Sequence, residues 1–312
     1  MAIGISPLVD FAFKLVLGSP EHSGITIHFI NSILVGQPRI AQVEIQNPFL
    51  AKEFDDDKLS ILDILATDEH GRRLNIEMQT SLPAGMSQRL TYYVSSLYVG
   101  QLVEGQNYSE LRPAISICVL SQAMFAQPPA LHLDFRLREA STDRILTNDL
   151  QIHLLQLNHL QVSAETVYDA TPVERWAYFL QHADQLTPEQ IRQVFPDQEF
   201  SEAAGVLEMI SRTPEQLMAY NARLKFQRDE AARIEFAREE ARQEAILEGR
   251  LEGRLEGRLE GRLEGVEIGR IKVLQEILGQ RVWADDEFGA CEAAQLTAMA
   301  NELQQQFRRQ NS

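Results

Sequence analysis

Residues 59–80 read LSILDILATDEHGRRLNIEMQT, and this stretch decides the fold. Its first half, 59–67, is rich in Ile and Leu and has the composition of a strand. Asp63 breaks the pattern. An ionised carboxylate among Ile61, Leu62, Ile64 and Leu65 costs several kcal/mol unless it is paired or bound to a metal. Residues 68–71, Asp-Glu-His-Gly, carry turn chemistry, and Gly71 can take the positive φ that closes a short hairpin with a bulge. From 72 to 80 the alternation resumes: Leu74, Ile76 and Met78 point one way, Arg73, Asn75, Glu77 and Gln79 the other. Folding about residues 69–70 sets Asp63 opposite Ile76 or Glu77, with a bulge choosing between them. Two carboxylates then converge, with Gln79 beside them. Hard oxygens so placed suit Mg²⁺, which lowers the pKa of a bound water and screens a phosphate.

Three blocks in order extend the pattern: DFAFKLVLG at 10–18, LDILATDEHGRRLNIEMQ at 62–79 and QRLTYYVSSLYVGQLVEGQNY at 88–108. Together they resemble the Rpn family of recombination-promoting nucleases, a transposase-linked branch of the PD-(D/E)XK nuclease superfamily, over roughly the first 225 residues. The resemblance implies a metal-dependent DNA endonuclease that leaves a 5′-phosphate and a 3′-hydroxyl. It implies Asp63, Glu77 and the backbone carbonyl of Met78 as ligands of Mg²⁺ or another divalent cation. Gln79 stands where much of the superfamily has Lys; an amide can orient the attacking water but cannot act as a base. Asp10 and Lys14 are four apart on one helical face. Two readings of Asp10 stand: a surface ion pair with Lys14, or, as the resemblance implies, an acidic residue set against the metal site. Arg89 matches a family arginine, and a guanidinium there can neutralise phosphate charge. With Lys14 and Arg73 it makes the expected substrate-binding set. Near the end of the last strand the family often has a Glu and a Lys; here Gln156 and His159 occupy those places.

Charge opposes an extended nucleic-acid surface. The net formal charge is −16, and residues 1–227 carry 16 Lys and Arg against 27 Asp and Glu, a difference of −11. Contacts to DNA are therefore expected to be local and salt-sensitive, using Arg39, Lys58, Arg72, Arg73 and Arg89. Two cysteines, Cys118 and Cys291, cannot build a disulfide framework or a zinc site. The sequence shows no basic-then-apolar leader and no apolar run of membrane-spanning length, so a cytoplasmic protein without a membrane partner is expected.

In chain order, the residues predict a helix at 7–18 and a second at 25–35. A strand follows at 39–46, then an acidic loop at 47–58 that lacks calcium-loop spacing. Beyond the hairpin come a helix at 87–104 and strands at 113–121, 131–137 and 151–157. The fold class is α/β: a restriction-endonuclease-like mixed sheet flanked by helices. His28 reads as surface or packed, and His132, His153 and His159 as structural. Helices at 171–183, 197–210 and from 213 onward form a helical extension.

Residues 247–265 are a tandem repeat, LEGRLEGRLEGRLEGRLEG. A period of four overshoots the 3.6-residue turn, so the Leu row winds around the helix. Five glycines forgo on the order of 4 to 5 kcal/mol of helix propensity against Ala. A partner is expected to compensate, which points to a homo-oligomer through this helix. The expected organisation is 1–165 nuclease core, 166–226 helical extension, 227–270 charged repeat helix and 271–312 a cap of two short helices. An alternative function keeps the nuclease fold with little turnover, as an oligomeric protein-interaction module.

Overall fold

The computed structural model describes residues 1–46, 64–289 and 291–310. Six strands form one sheet: β1 (Val43–Gln46), β2 (Ile64–Asp68), β3 (Arg73–Gln79), β4 (Ala114–Leu120), β5 (His132–Arg138) and β6 (Ile145–Gln156). Their order is β1-β2-β3-β4-β6-β5. The first three make an antiparallel meander. β3, β4 and β6 run parallel, and β5 returns antiparallel along β6. A parallel neighbour requires a crossover, and α3 (Met86–Val99) supplies it between β3 and β4. This is the α/β mixed sheet that the sequence predicts.

Residues paired across a sheet share a face, which makes the two faces easy to trace. Ile64, Ile76 and Ile117 stand in line on one face. They join a core with Ala12, Phe13, Val16 and Leu17 of α1 (Asp10–Leu17) and Phe29 of α2 (Ser23–Ile33). The same core takes in α4 (Pro172–His182), α5 (Pro188–Val194) and α6 (Gln198–Arg212) through Trp176, Phe179, Ile191 and Phe200. On the other face α3 lays Met86 and Leu90 against Cys118, Leu120 and Leu154. Cys118 is thus a buried thiol, as its apolar surroundings predict.

Several boundaries differ from the sequence reading for identifiable reasons. The strand expected from residue 39 begins at Val43, because the Asn31 side chain satisfies the backbone of Ile40 in place of a ladder, donating to its carbonyl at 2.8 Å and accepting from its N–H at 2.9 Å. α3 stops at Val99, where Gly100 donates its N–H to the Ser96 carbonyl at 2.9 Å. β6 starts early, at Ile145, paired with Arg138 across a tight turn in which Asp143 takes φ +56°. α5 is not among the predicted helices, although Thr187-Pro188-Glu189-Gln190 is a capping box with Pro at the first turn.

The chain divides into two compact units, 1–231 and 232–312. α7 (Pro214–Ile277) starts in the first and continues in the second, helical through all five repeat glycines. It ends in a Schellman arrangement: Gly279 takes φ +66°, its N–H reaches the Glu276 carbonyl, and the Gln280 N–H reaches that of Gln275. In the second unit Ile271 of α7 packs on Phe288, Leu296, Ala300 and Leu303. The two short helices expected over 271–312 are thus the last turns of α7 and one 18-residue helix, α8 (Ala293–Gln310). Among the described residues no helix is long and apolar enough to cross a membrane.

Candidate active site

The hairpin turn is locked by one side chain. The Asp68 carboxylate accepts from the N–H groups of His70 and Arg72, each at 2.9 Å, and from the Arg72 guanidinium. Both side chains are nearly inaccessible, at 0 % and 7 % exposure. Gly71 takes φ +78°, the conformation its place in the turn requires. With the turn fixed, the register runs from Thr67↔Arg73 to Ile64↔Ile76 with no bulge. Ile64 therefore occupies the place opposite Ile76 that was open to Asp63. Asp63 itself lies outside the described residues, as do Lys58 and the acidic loop at 47–58.

Glu77 and Gln79 stand on the α3-side face of β3. Glu77 is 2 % exposed, Met78 is buried and Gln79 half-buried. Across the parallel ladder Glu77 faces Cys118, and Gln79 faces Leu120. A carboxylate at this depth has to be held by donors or a cation. Two residues further down the same face Asn75 is fully buried opposite Ser116, and the side-chain polar atoms of both lack a hydrogen-bond partner among the described residues. Alternation along β3 predicts Asn75 on a polar face, with no role in the site. The signal that could have found it is the wholly apolar run around Ser116 at 114–120, which marks a central strand covered on both sides.

The expected basic residues have separate settings. Arg89 on α3 lies with its guanidinium 5.2 Å from the centre of the Tyr93 ring, and its buried Nε makes no hydrogen bond to the described residues. Arg73 donates to the Thr67 hydroxyl at 3.3 Å. On α1, Asp10 pairs with Lys14 at 3.1 Å and approaches Arg223 of α7 at 4.0 Å. The Asp10–Lys14 ion pair is thus present. Tyr93 is core, whereas Tyr98 is half-buried and donates to Asp149 at 3.0 Å.

Gln156 is fully buried and holds the segment after β4: its Oε1 accepts from the N–H groups of Met124 and Phe125 at 2.8 and 2.9 Å, and its Nε2 donates to the Ala130 carbonyl at 2.9 Å. His159 lies 3.1 Å from the Phe125 carbonyl. These two do packing work where the family often has its Glu and Lys. His28 is packed, accepting from the Trp176 indole at 3.0 Å. His132 and His153 stack with ring nitrogens 3.0 Å apart. Burial pushes both imidazoles down, His153 to about 4, against the opposing pull of Asp134. Among the described residues no three His, Cys, Asp or Glu side chains are grouped to hold a metal ion.

Residues 7–237 match the profile of the PD-(D/E)XK nuclease family transposase. The chain belongs to this family. The match covers the whole sheet, α1 to α6 and the first part of α7. Membership makes the function one of the nuclease and transposase type, and PD-(D/E)XK nucleases generally use divalent metal ions. Comparison with curated proteins gives no match, and comparison with solved structures gives none either.

Proposed function

We propose that this PD-(D/E)XK family member is a divalent-metal-dependent DNA endonuclease acting in recombination or the movement of mobile elements. The observation that supports it best is Glu77: a carboxylate 2 % exposed in the middle of a central strand, with Gln79 on the same face. Asp63, Glu77 and the Met78 carbonyl would supply a hard-oxygen set that suits Mg²⁺ or a similar ion. This reading requires the Ile64↔Ile76 register to run one residue further, so that Asp63 comes opposite Glu77. When bound, the ion supplies Lewis acidity and an activated water.

The chain's own residues do the rest. The Gln79 amide orients the water by hydrogen bonding, with no proton transfer of its own. Arg89, Arg73 and Lys14 contact the phosphates, and Asp10 holds Lys14 in place through the 3.1 Å pair. The repeat within α7 joins two or more copies: Leu247, Leu251, Leu255, Leu259 and Leu263 are each 60 % exposed or more.

The test is cleavage of plasmid DNA by the full chain with Mg²⁺, Mn²⁺ or Ca²⁺. Glu77→Ala and Asp63→Ala should each lower the rate by about 100-fold or more, EDTA should abolish it, and the fold should survive. Asp10→Ala should lower it only partly. Wild-type rates in either of the first two variants would remove the site assignment. No cleavage by the wild type with any ion would favour a binding module built on the nuclease fold.

A further inference from the structure

At the other end of β3 and β4, where both strands begin, lies a cleft of about 630 Å³. Arg72, Arg112, Arg136 and His70 line it, with the amides of Asn148 and Gln151. No Asp or Glu among the described residues does so. It is separate from the Glu77 site: Arg72 precedes Glu77 by five residues, roughly 16 Å along a strand, and Gln151 pairs with Ile115 on the opposite face of the sheet.

The three guanidiniums are arranged differently. Arg72 is held from behind by Asp68, and its Nη2 donates to the Pro38 carbonyl at 3.2 Å. Arg136 is held by Asp134 at 2.5 and 2.9 Å and by Asn148 at 3.2 Å. Each carries its own counter-ion, so the two can approach one site without strong mutual repulsion. Arg112 has no such partner among the described residues. Its backbone is clamped instead: Gln101 donates to its carbonyl at 2.9 Å and accepts from its N–H at 3.0 Å. Its side-chain stem runs past Gly71, where an added Cβ would come 3.3 Å from the Arg112 Cγ. Arg112 is therefore a solvent-exposed cation with a fixed backbone and no carboxylate partner among the described residues, beside neutralised arginines and amide groups.

We propose that this cleft binds a phosphate group, with Arg112 as its charge partner. A planar fork of N–H donors matches phosphate oxygens. No Phe, Tyr or Trp lines the cleft among the described residues, and the guanidiniums and amides are donors to oxygen, so recognition centres on the phosphate. Two sources share this chemistry: a small phosphate monoester, and the backbone of a nucleic acid.

The test is calorimetric titration of the full chain at low salt, without divalent ions, with inorganic phosphate, a 5′-mononucleotide and a short DNA duplex. Arg112→Gln should weaken phosphate and mononucleotide binding about tenfold or more, and Arg112→Glu should abolish it. Glu77→Ala should leave both unchanged, which separates this cleft from the proposed nuclease site. If Arg112→Glu spares the duplex, the occupant is a small phosphate; if duplex binding falls in parallel, it is the nucleic-acid backbone. Circular dichroism would confirm that the exposed Arg112 variants fold. Absence of saturable binding of all three by the wild type, or wild-type affinities in Arg112→Glu, would overturn the proposal.

Discussion

Asn75 and Ser116 face each other across the parallel β3–β4 ladder, both with 0 % exposure, and neither side chain finds a hydrogen-bond partner among the described residues. Buried polar groups left in this state oppose folding by about 1 to 3 kcal/mol each. Ser116→Ala should therefore keep or raise stability, by up to about 1 kcal/mol, in urea denaturation. A loss larger than that would mean that the hydroxyl is satisfied by ordered water, which the substitution expels.

Gln79 separates orientation from charge. Gln79→Lys restores the commoner superfamily residue beside Glu77, where an ammonium is compensated by the carboxylate, and should retain measurable plasmid cleavage. Gln79→Leu keeps the volume but removes the donor and acceptor, and should lose most of the activity. Equal rates for Gln79→Leu and wild type would take Gln79 out of the mechanism.

Acid should destabilise the first unit through His153. In the folded state burial holds its pKa down at about 4, against 6.5 for a free imidazole. Between these values the unfolded chain binds a proton that the folded chain does not, so stability is complete above about pH 6.5 and declines as pH falls toward 4. The span corresponds to on the order of 3 kcal/mol. Urea midpoints at pH 7 and pH 4.5 should differ less in His153→Gln than in wild type. An unchanged difference would show that other groups carry the acid sensitivity.

The repeat helix offers a paired readout. A Cβ added at Gly249, Gly253, Gly257, Gly261 or Gly265 meets nothing within 4 Å. Ala at all five should raise helicity, with on the order of 4 to 5 kcal/mol of added propensity. If copies meet through the glycine rows, the same change should weaken association, and deletion of residues 247–265 should yield a folded monomer by light scattering. A wild type already monomeric at tens of micromolar would leave the repeat a tether.

The hairpin was readable because its signals are local: the turn residues, the place of Gly71 and the alternation on β3 all lie within 22 residues. Burial of Asn75 was not, since period-two alternation cannot tell an open face from one that a crossover helix covers. The Arg112 cleft was equally hidden, because its lining comes from residues 35–38, 70, 72, 112–113, 136, 148 and 151, segments far apart in the chain that only the fold brings together. The late start of the strand expected at 39–46 depends on one amide, Asn31, on another element.

The mixed sheet also sets an order on assembly. Four residues, 69–72, join β2 to β3, whereas thirty-four, 80–113, join β3 to β4. By loop-closure entropy the second pairing costs about 2 kcal/mol more than the first. The hairpin bearing Glu77 can form early, while the strand edge that β4 later covers is still open. Until α3 has folded and brought β4 alongside, that edge is a template for any other extended chain, so the partner strand of the candidate active site is also the chain's guard against aggregation during synthesis.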